Sequence, residues 1–167
     1  MRVSYNWLRE LLPELTLSPG EVADRLNGVG LAVDRVEPRG QALAEVRLAR
    51  VTALEAHPKR SGLRLVTIDH GRGTQRVVCG AANVPEPGGM VVLAPLGARL
   101  PSLPEPLAAR EIGGVLSEGM LVSESELGLT AAAEGIIVLP AGAAEPGRTL
   151  AELVPSAVDT IFELDVT

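Results

Sequence analysis

The residues whose types and spacing best suit chemistry form one short basic turn, His57-Pro58-Lys59-Arg60-Ser61-Gly62-Leu63-Arg64. Its proline and glycine are turn formers, so the segment is predicted to join two strands. Three cations, Lys59, Arg60 and Arg64, stand on or beside the turn. In a small five-stranded barrel, the first hairpin loop is one of the two that commonly hold oligonucleotides. Cationic side chains there neutralise phosphates without reading bases; the alternative is a merely solvated loop.

The residue types that could support catalysis favour structural roles instead. Ser117-Glu118-Gly119 resembles part of a nucleophile elbow, but Val115 stands where that motif needs glycine. Nothing in the sequence positions His57 or His70 as the base for this serine. Cys79, at the end of an apolar run, is typical of a buried structural thiol. We therefore predict no catalytic residues.

Metal and nucleotide cofactors find no candidate site in the sequence. One cysteine and two histidines leave too little material for a metal cluster. Gly28-Val29-Gly30 lacks the third glycine of a phosphate-binding loop and precedes a strand. This G-x-G therefore predicts the end of a helix followed by a turn. We expect no metal and no cofactor to bind this chain.

The charge distribution places one basic segment inside an acidic chain. The 167 residues carry a net charge of −6, whereas residues 44–76 alone hold seven Lys or Arg against three acids, a net charge of +4. Residues 40–141 contain no Phe, Tyr or Trp, the side chains on which bases stack. A nucleic acid bound here is therefore expected to be held by its phosphate backbone and shape, with strong salt dependence.

The elements that must position the basic turn fall into two regions, a mainly helical one first and then one of short strands. An apolar stripe from Trp7 to Leu12 predicts a helix that ends near Pro13. Ser18, with Glu21 three residues later, predicts a capped second helix that stops at Gly28 in a left-handed conformation. A strand over residues 31–36 follows, and a boundary is predicted at residues 38–41.

Beyond that boundary the chain reads as short strands and turns. Strands are predicted at residues 46–54, 63–68, 76–79, 90–93 and 136–139, which suggests a small barrel or sandwich. If alternation holds, Arg60 and Arg64 reach solvent while Leu63 and Leu65 point inward. Residues 158–166 read as a further strand without a partner after it, so we expect the sequence to be a piece of a longer protein. This strand and residues 31–36 are expected to share one sheet.

The chain length, 167 residues with a mass of 17.4 kDa, allows one domain or two small ones. Mean hydropathy of +0.24 excludes wholesale disorder. No apolar run reaches the roughly 18 residues that a membrane span needs, and the opening MRVSYNWLRE has no signal-peptide core. We therefore expect a cytoplasmic protein without membrane contact.

Several phrases, in order and with family spacing, resemble the bacterial phenylalanyl-tRNA synthetase beta subunit. The resemblance covers the whole chain and rests on sequence phrases that run from the opening to the end: VSYNWL at residues 3–8, GLAVD at 30–34, VVCGAAN at 77–83, GVLSEGML at 114–121, ELGL at 126–129 and IFELDVT at 161–167. Many members have Asn-Ala-Asp where this chain has Lys59-Arg60-Ser61, a departure that leaves the turn with a cationic face.

The resemblance implies an α+β fold: a small split α/β domain with an inserted five-stranded oligonucleotide-binding (OB) β-barrel. Residues 1–39 and 150–167 would be the two parts of the split domain, and residues 40–149 the inserted tRNA-binding barrel. The chain would be the N-terminal part of a beta subunit that works with an alpha subunit in an (αβ)2 heterotetramer. That enzyme joins phenylalanine to its tRNA with ATP and magnesium, and its chemistry lies outside this piece, which alone would be inactive.

We accordingly predict an RNA-facing and subunit-packing role in translation. The predicted RNA-binding residues are three cations of the basic turn, two arginines on strands that could flank it, and two polar residues within matching phrases, for which turn hydrogen bonding is the structural alternative: Lys59, Arg60, Arg64, Arg50, Arg76, Asn83 and Ser117. Two other functions stay open. One is a free-standing tRNA-binding or chaperone-like OB protein, and the other is a structural barrel that serves as a protein–protein surface.

Overall fold

The computed structural model describes residues 1–166; Thr167, the last residue of the predicted return segment, lies outside the described residues. Two compact units are present: residues 1–41 with 154–166, and Ala42–Leu153. The elements in chain order are β1 (Arg2–Ser4), α1 (Tyr5–Leu11), α2 (Pro19–Gly28), β2 (Val33–Arg39), α3 (Ala42–Glu45), β3 (Arg47–Ala56), β4 (Arg64–Asp69), β5 (Thr74–Cys79), β6 (Met90–Pro95), β7 (Arg110–Ile112), β8 (Val115–Ser117), β9 (Gly119–Leu121), β10 (Val138–Leu139), α4 (Leu150–Leu153), a 3-10 turn (Pro155–Ala157) and β11 (Asp159–Leu164).

The second helix begins where the sequence predicts. The Ser18 hydroxyl accepts a hydrogen bond from the Glu21 N–H, and the Glu21 carboxylate accepts one from the Ser18 N–H, which completes a capping box. The hydrogen bonds from Ser18 also lower the pKa of the Glu21 carboxyl. The helix ends at Gly28 as expected, but the residue with a left-handed backbone is Gly30, at φ 88°.

The first unit is built on a three-stranded antiparallel sheet in the order β1-β11-β2. The two strands expected to share a sheet are therefore direct neighbours, with Phe162 of β11 opposite Val36 of β2. Phe162 is fully buried, and the ring of Tyr5 meets it edge-on at 6.4 Å between centroids. Val22 and Leu164 complete the centre of this core.

Polar side chains of the opening segment bind the return segment. The Ser4 hydroxyl donates to the Asp159 carboxylate at 2.6 Å, and the Asn6 N–H donates to its other oxygen at 3.0 Å. The Asn6 side-chain amide donates to the carbonyl of Val158 at 2.7 Å. The opening phrase thus joins segments that lie more than 150 residues apart in sequence.

The second unit is a nearly closed antiparallel barrel. Its sheet follows the path β10-β6-β3-β4-β5, and β9 also pairs with β6. The long strand β3 is central, because its first half pairs with β6 and its second half with β4. Its core consists mainly of aliphatic side chains, among them Val51, Val66, Ile68, Val77 and Val91.

The fifth barrel strand is divided into two pieces, which explains why six strands occupy five positions. β9 pairs with Leu93–Pro95 of β6, and β10 pairs with Met90 and Val91 of the same strand. Between the pieces, the N–H of Val122 donates to the carbonyl of Val92 at 3.0 Å. The α+β class and the barrel predicted from the sequence are confirmed. The short strands β1, β7, β8 and β9 were not predicted, because three residues are too few to show an alternation of apolar and polar side chains.

No helix in residues 1–166 is long and apolar enough to cross a membrane.

Phe162 offers a test of the first unit's core. Phe162→Ala should lower the free energy of unfolding by about 3–5 kcal/mol, because a buried ring is lost and a cavity remains. Urea unfolding followed by the fluorescence of Trp7, the chain's one tryptophan, reports on this unit. Ile161→Ala, at a half-buried position on the opposite face of β11, is the control and should cost clearly less; equal losses would contradict this account of the core.

Candidate nucleic-acid interface

Residues 57–63 of the basic turn form a tight loop between β3 and β4, and Arg64 is the first residue of β4. The His57 N–H donates to the Leu63 carbonyl at 3.0 Å, and the Leu63 N–H donates to the Arg60 carbonyl at 3.3 Å. Gly62 supplies a left-handed residue at φ 84°. Because the loop is closed by its own backbone, the side chains of Lys59 and Arg60 stay exposed.

His57 fixes this turn to the hairpin formed by β7 and β8. The imidazole is 6 % exposed. Its Nδ1 accepts from the Lys59 N–H at 3.1 Å, and its Nε2 lies 2.9 Å from the carbonyl oxygen of Ile112. A backbone N–H needs a lone pair on Nδ1, so the proton lies on Nε2 and is donated to Ile112. His57 is therefore a neutral link between two loops rather than a base.

The hairpin touches the turn through two glycines. Gly113 and Gly114 both have positive φ, 59° and 86°, as a two-residue hairpin turn of the primed type requires. A Cβ on Gly113 would lie 2.7 Å from the His57 ring, and one on Gly114 would lie 3.1 Å from the Lys59 ammonium. The hairpin tip thus lies directly against the cations of the turn.

Arg76 extends this cationic surface along β5. Val77 and Cys79 of the same strand point into the barrel core, so Arg76 points outward. It lines an open groove of about 560 Å³ together with Thr67 and Gly114. Gly114 is therefore the point at which the basic turn and Arg76 meet. Glu118 is the one acid in the lining of this groove.

Lys59, Arg60 and Arg76 form no ion pair with an acidic side chain in the described residues. The ion pairs within residues 1–166 join Arg2 and Arg39 to Glu37 and Arg148 to Glu152. We name the surface of Lys59, Arg60, Arg76 and the hairpin tip Gly113–Gly114 the cationic edge. Its charges are available to a polyanion.

Two of the predicted arginines lie elsewhere. Arg64 is half-buried on the same face of β4 as Val66 and Ile68, since the β4–β5 ladder runs without a bulge. Leu65 is buried, as expected, but the face of β4 in the barrel core is that of Val66 and Ile68, and Arg64 lies half-buried on this face instead of on the solvent side. Arg50 pairs with Asp69 and Met90 near the far end of β3, about 20 Å from the turn at roughly 3.3 Å per residue.

The two predicted polar contacts serve the fold. The Asn83 amide donates to the Ile136 carbonyl at 2.8 Å and accepts from the Ile136 N–H at 3.0 Å, like a strand partner. Ser117 is 5 % exposed. Its hydroxyl accepts from the Val78 N–H and donates to the Gly119 carbonyl, both at 3.0 Å. A buried hydroxyl whose donor and acceptor are both used favours the structural alternative, turn hydrogen bonding, over contact with RNA.

Cys79 is buried, as the sequence interpretation expected. Burial raises the pKa of the Cys79 thiol, which keeps it protonated and unreactive. Residues 1–166 contain no group of three or more His, Cys, Asp and Glu side chains placed to hold a metal ion.

The β7–β8 hairpin was not predicted, although the sequence contains a signal for it. A Gly-Gly pair between Arg110-Glu111-Ile112 and Val115-Leu116-Ser117 is a hairpin turn signature. Contact between that turn and His57 joins positions more than fifty residues apart, so no local pattern reveals it.

The Ser117 hydroxyl is open to a direct test. Ser117→Ala leaves the Val78 N–H without an acceptor, and the free energy of unfolding should fall by about 1–3 kcal/mol. Urea unfolding followed by circular dichroism measures the change. Ser61→Ala, in the exposed turn, is the matched control and should stay within about 0.5 kcal/mol of the parent. If Ser117→Ala were as stable as Ser61→Ala, the structural role would be refuted.

Comparison with known proteins gives one family and a consistent set of relatives. A family model described as "Putative tRNA binding domain" matches residues 46–149. Phenylalanine–tRNA ligase beta subunits are similar along the chain: 38 % identity over 167 residues in Syntrophus aciditrophicus and 41 % over 170 in Geobacter metallireducens, each match covering 100 % of this chain and 20 % of the relative. The beta subunit of a Synechococcus species is 43 % identical over 141 residues, covering 84 % of this chain and 17 % of the relative.

The chain thus spans about a fifth of the length of these relatives, and the resemblance stated from the sequence is confirmed. Among solved structures, a MetRS related protein from Pyrococcus horikoshii aligns with 62 % of this chain and 86 % of that one, at 19 % identity and a TM-score of 0.45.

Proposed function

The chain belongs, over residues 46–149, to the family described as "Putative tRNA binding domain", and from this premise we propose that it binds tRNA through phosphate contacts as a non-catalytic part of a phenylalanine–tRNA ligase beta subunit. The observation that carries the proposal is the convergence of Lys59, Arg60 and Arg76 on one hairpin tip. Unpaired cations at one edge of an acidic chain form a local site for a polyanion.

The proposal assigns the RNA contacts more narrowly than the sequence did. Lys59 and Arg60 are exposed and adjacent to Gly113–Gly114, and Arg76 lies in the groove on the other side of the tip. Arg64 contributes its charge from a half-buried position, whereas Arg50 is too distant to share a ligand with the turn. The contacts should be indifferent to sequence, because phosphates look the same at every nucleotide.

We propose further that the two units are a split domain and an inserted barrel of a longer beta subunit. The contacts of Ser4 and Asn6 with the return segment support this division. An exposed apolar stripe on α1, with Trp7 53 % and Leu11 58 % exposed at i and i+4, supports a packing role against another part of the ligase, for which we propose the alpha subunit of an (αβ)2 heterotetramer.

The whole enzyme would join phenylalanine to tRNA in the cytoplasm. We place ATP and magnesium, the co-reactants of that chemistry, with other parts of the ligase, because the described residues offer no cluster of metal ligands and His57, Ser117 and Cys79 are each committed to the fold. This chain by itself would bind and orient tRNA, and would catalyse no aminoacylation.

The cationic edge is tested by the salt dependence of tRNA binding. Changing Lys59, Arg60 and Arg76 to Ala should weaken binding and flatten the slope of log affinity against log salt by roughly two to three units, since each phosphate contact contributes about 0.9. Filter binding from low to moderate salt measures both quantities.

The matched control removes the same charge from another part of the barrel. Arg47, Arg50 and Arg72 changed together to Ala should alter the slope by less than about one unit. Equal slopes for the two triple variants would show diffuse attraction rather than a site, and tRNA binding unchanged in the first variant would favour the structural barrel.

The packing role is tested with the alpha subunit. Adding the purified alpha subunit should shift the emission of Trp7, because its indole leaves water on burial, and Leu11→Asp should prevent the shift. Glu10→Asp, at an exposed position of the same helix, should leave it unchanged. An emission unaffected by the alpha subunit would contradict the packing role.

The chain alone should show no aminoacylation. Turnover that one substitution within the chain abolishes would contradict this assignment.

A further inference from the structure

A second cavity lies on the other side of the β7–β8 hairpin from the groove of Arg76. Its volume is about 520 Å³, and it opens between the outer face of β5 and the segment 103–109. The backbone of Leu107 holds that segment by hydrogen bonds with Gly97 at 2.7 Å and Ala98 at 2.9 Å. The walls are mainly apolar: Val78, Leu103, Leu107, Ile112 and Met120.

Two charged residues, Glu105 and Arg110, are among those that line this cavity, and both are exposed. A carboxylate accepts hydrogen bonds from exocyclic amino groups of bases, and a guanidinium donates to phosphate or to base acceptors. An apolar chamber with a few polar groups is the usual form of a site for a small flat ligand, and 300–1,000 Å³ is the usual size range.

The cavity is continuous with the cationic edge. Ile112 lines it and also accepts the hydrogen bond from His57. At the next residue, Gly113, an added Cβ would lie 2.7 Å from the His57 ring and 3.1 Å from the side-chain stem of Arg60. Two consecutive residues, Ile112 and Gly113, whose Cα atoms are about 3.8 Å apart, thus connect the wall of the cavity to the turn that carries Lys59 and Arg60.

We propose that this cavity binds one unpaired nucleobase of the bound RNA, turned out of its stack. The inference rests on the proposed tRNA binding and adds to it a mode of recognition. The barrel has no aromatic platform between residues 40 and 141. Aliphatic walls and the polarizable thioether of Met120 cover the faces of the base instead, while Glu105 meets its polar edge. An unpaired base is the suitable ligand, because it has the least stacking and pairing to lose.

Methionine methyl groups give a direct readout. The chain has three methionines: Met120 lines the cavity, Met90 is fully buried on the face of β6 opposite the core residues Val91 and Leu93, and Met1 is 65 % exposed. With methyl-labelled methionine, tRNA should move the Met120 resonance upfield through the ring current of the base and leave Met90 in place. A fully paired RNA duplex should bind with a similar salt slope and leave Met120 in place.

Two variants test the same point by affinity. Ala109→Phe places a ring at the cavity and should weaken tRNA binding about fivefold, the low end of what one stacked base contributes, without changing the salt slope or duplex binding. Ala143→Phe, at an exposed position of the barrel unit away from the cavity, is the matched control. Glu105→Ala should weaken tRNA binding about threefold, although removal of a negative charge by itself would strengthen it.

The outcomes separate this proposal from the one on which it rests. Salt-dependent tRNA binding with an unmoved Met120 resonance and a normal Ala109→Phe variant would overturn the base-binding cavity and leave the phosphate contacts standing. Absence of any RNA binding would overturn both. A Met120 shift caused by the alpha subunit and not by tRNA would assign the cavity to a protein side chain and overturn the proposal.

Discussion

The closing of the barrel between β5 and the β8–β9 segment is the constraint on which the other features depend. No ladder joins these strands. The side chains of Ser117 and Gln75 and one long backbone contact bridge the gap instead: the Ser117 hydroxyl binds the Val78 N–H, the Gln75 amide donates to the Glu118 carbonyl at 3.1 Å, and the Glu118 N–H reaches the Arg76 carbonyl at 3.5 Å. Edge groups of a strand must be satisfied or covered, and here the Val78 N–H and the Arg76 carbonyl find partners while space remains on both sides of the hairpin.

That arrangement determines where charge and apolar surface come to lie. With the hairpin fixed by Ser117, its Gly113–Gly114 tip meets the basic turn, and His57 joins the two as a neutral, fully hydrogen-bonded ring. On one side of the hairpin the groove holds Arg76, and on the other side lies the apolar cavity. A polyanion at the tip is therefore offered phosphate contacts and an apolar chamber from a single structural element, which is why we assign both to one RNA strand.

The first unit depends on contacts between the two chain segments that form it. Its sheet needs the return strand β11 at its centre, because Phe162 and Leu164 supply much of its core. Ser4 acts both as a local cap and as a long-range contact, because it caps α1 through the Trp7 N–H and also binds Asp159. Asn6 adds hydrogen bonds to Val158 and Asp159. The same helix turns Tyr5 inward and leaves Trp7 and Leu11 exposed, so one helix contributes both to the core and to a surface suited to packing.

The sequence by itself determined the elements whose causes are local. The Ser18–Glu21 capping box, the basic turn, the alternation of the longer strands and the excess of cations in residues 44–76 are all set by neighbouring residues, and the family phrases pointed to the barrel. Tertiary structure alone decided which cations lie close together. Arg50 and Arg64 are as basic as Arg60, but strand register places Arg50 opposite Asp69, remote from the turn, and leaves Arg64 half-buried on the same face of β4 as Val66 and Ile68. The roles of Ser117, Asn83 and His57 depend on partners 39, 53 and 55 residues away, and contacts of that range arise from the closing of the barrel and leave no local pattern in the chain.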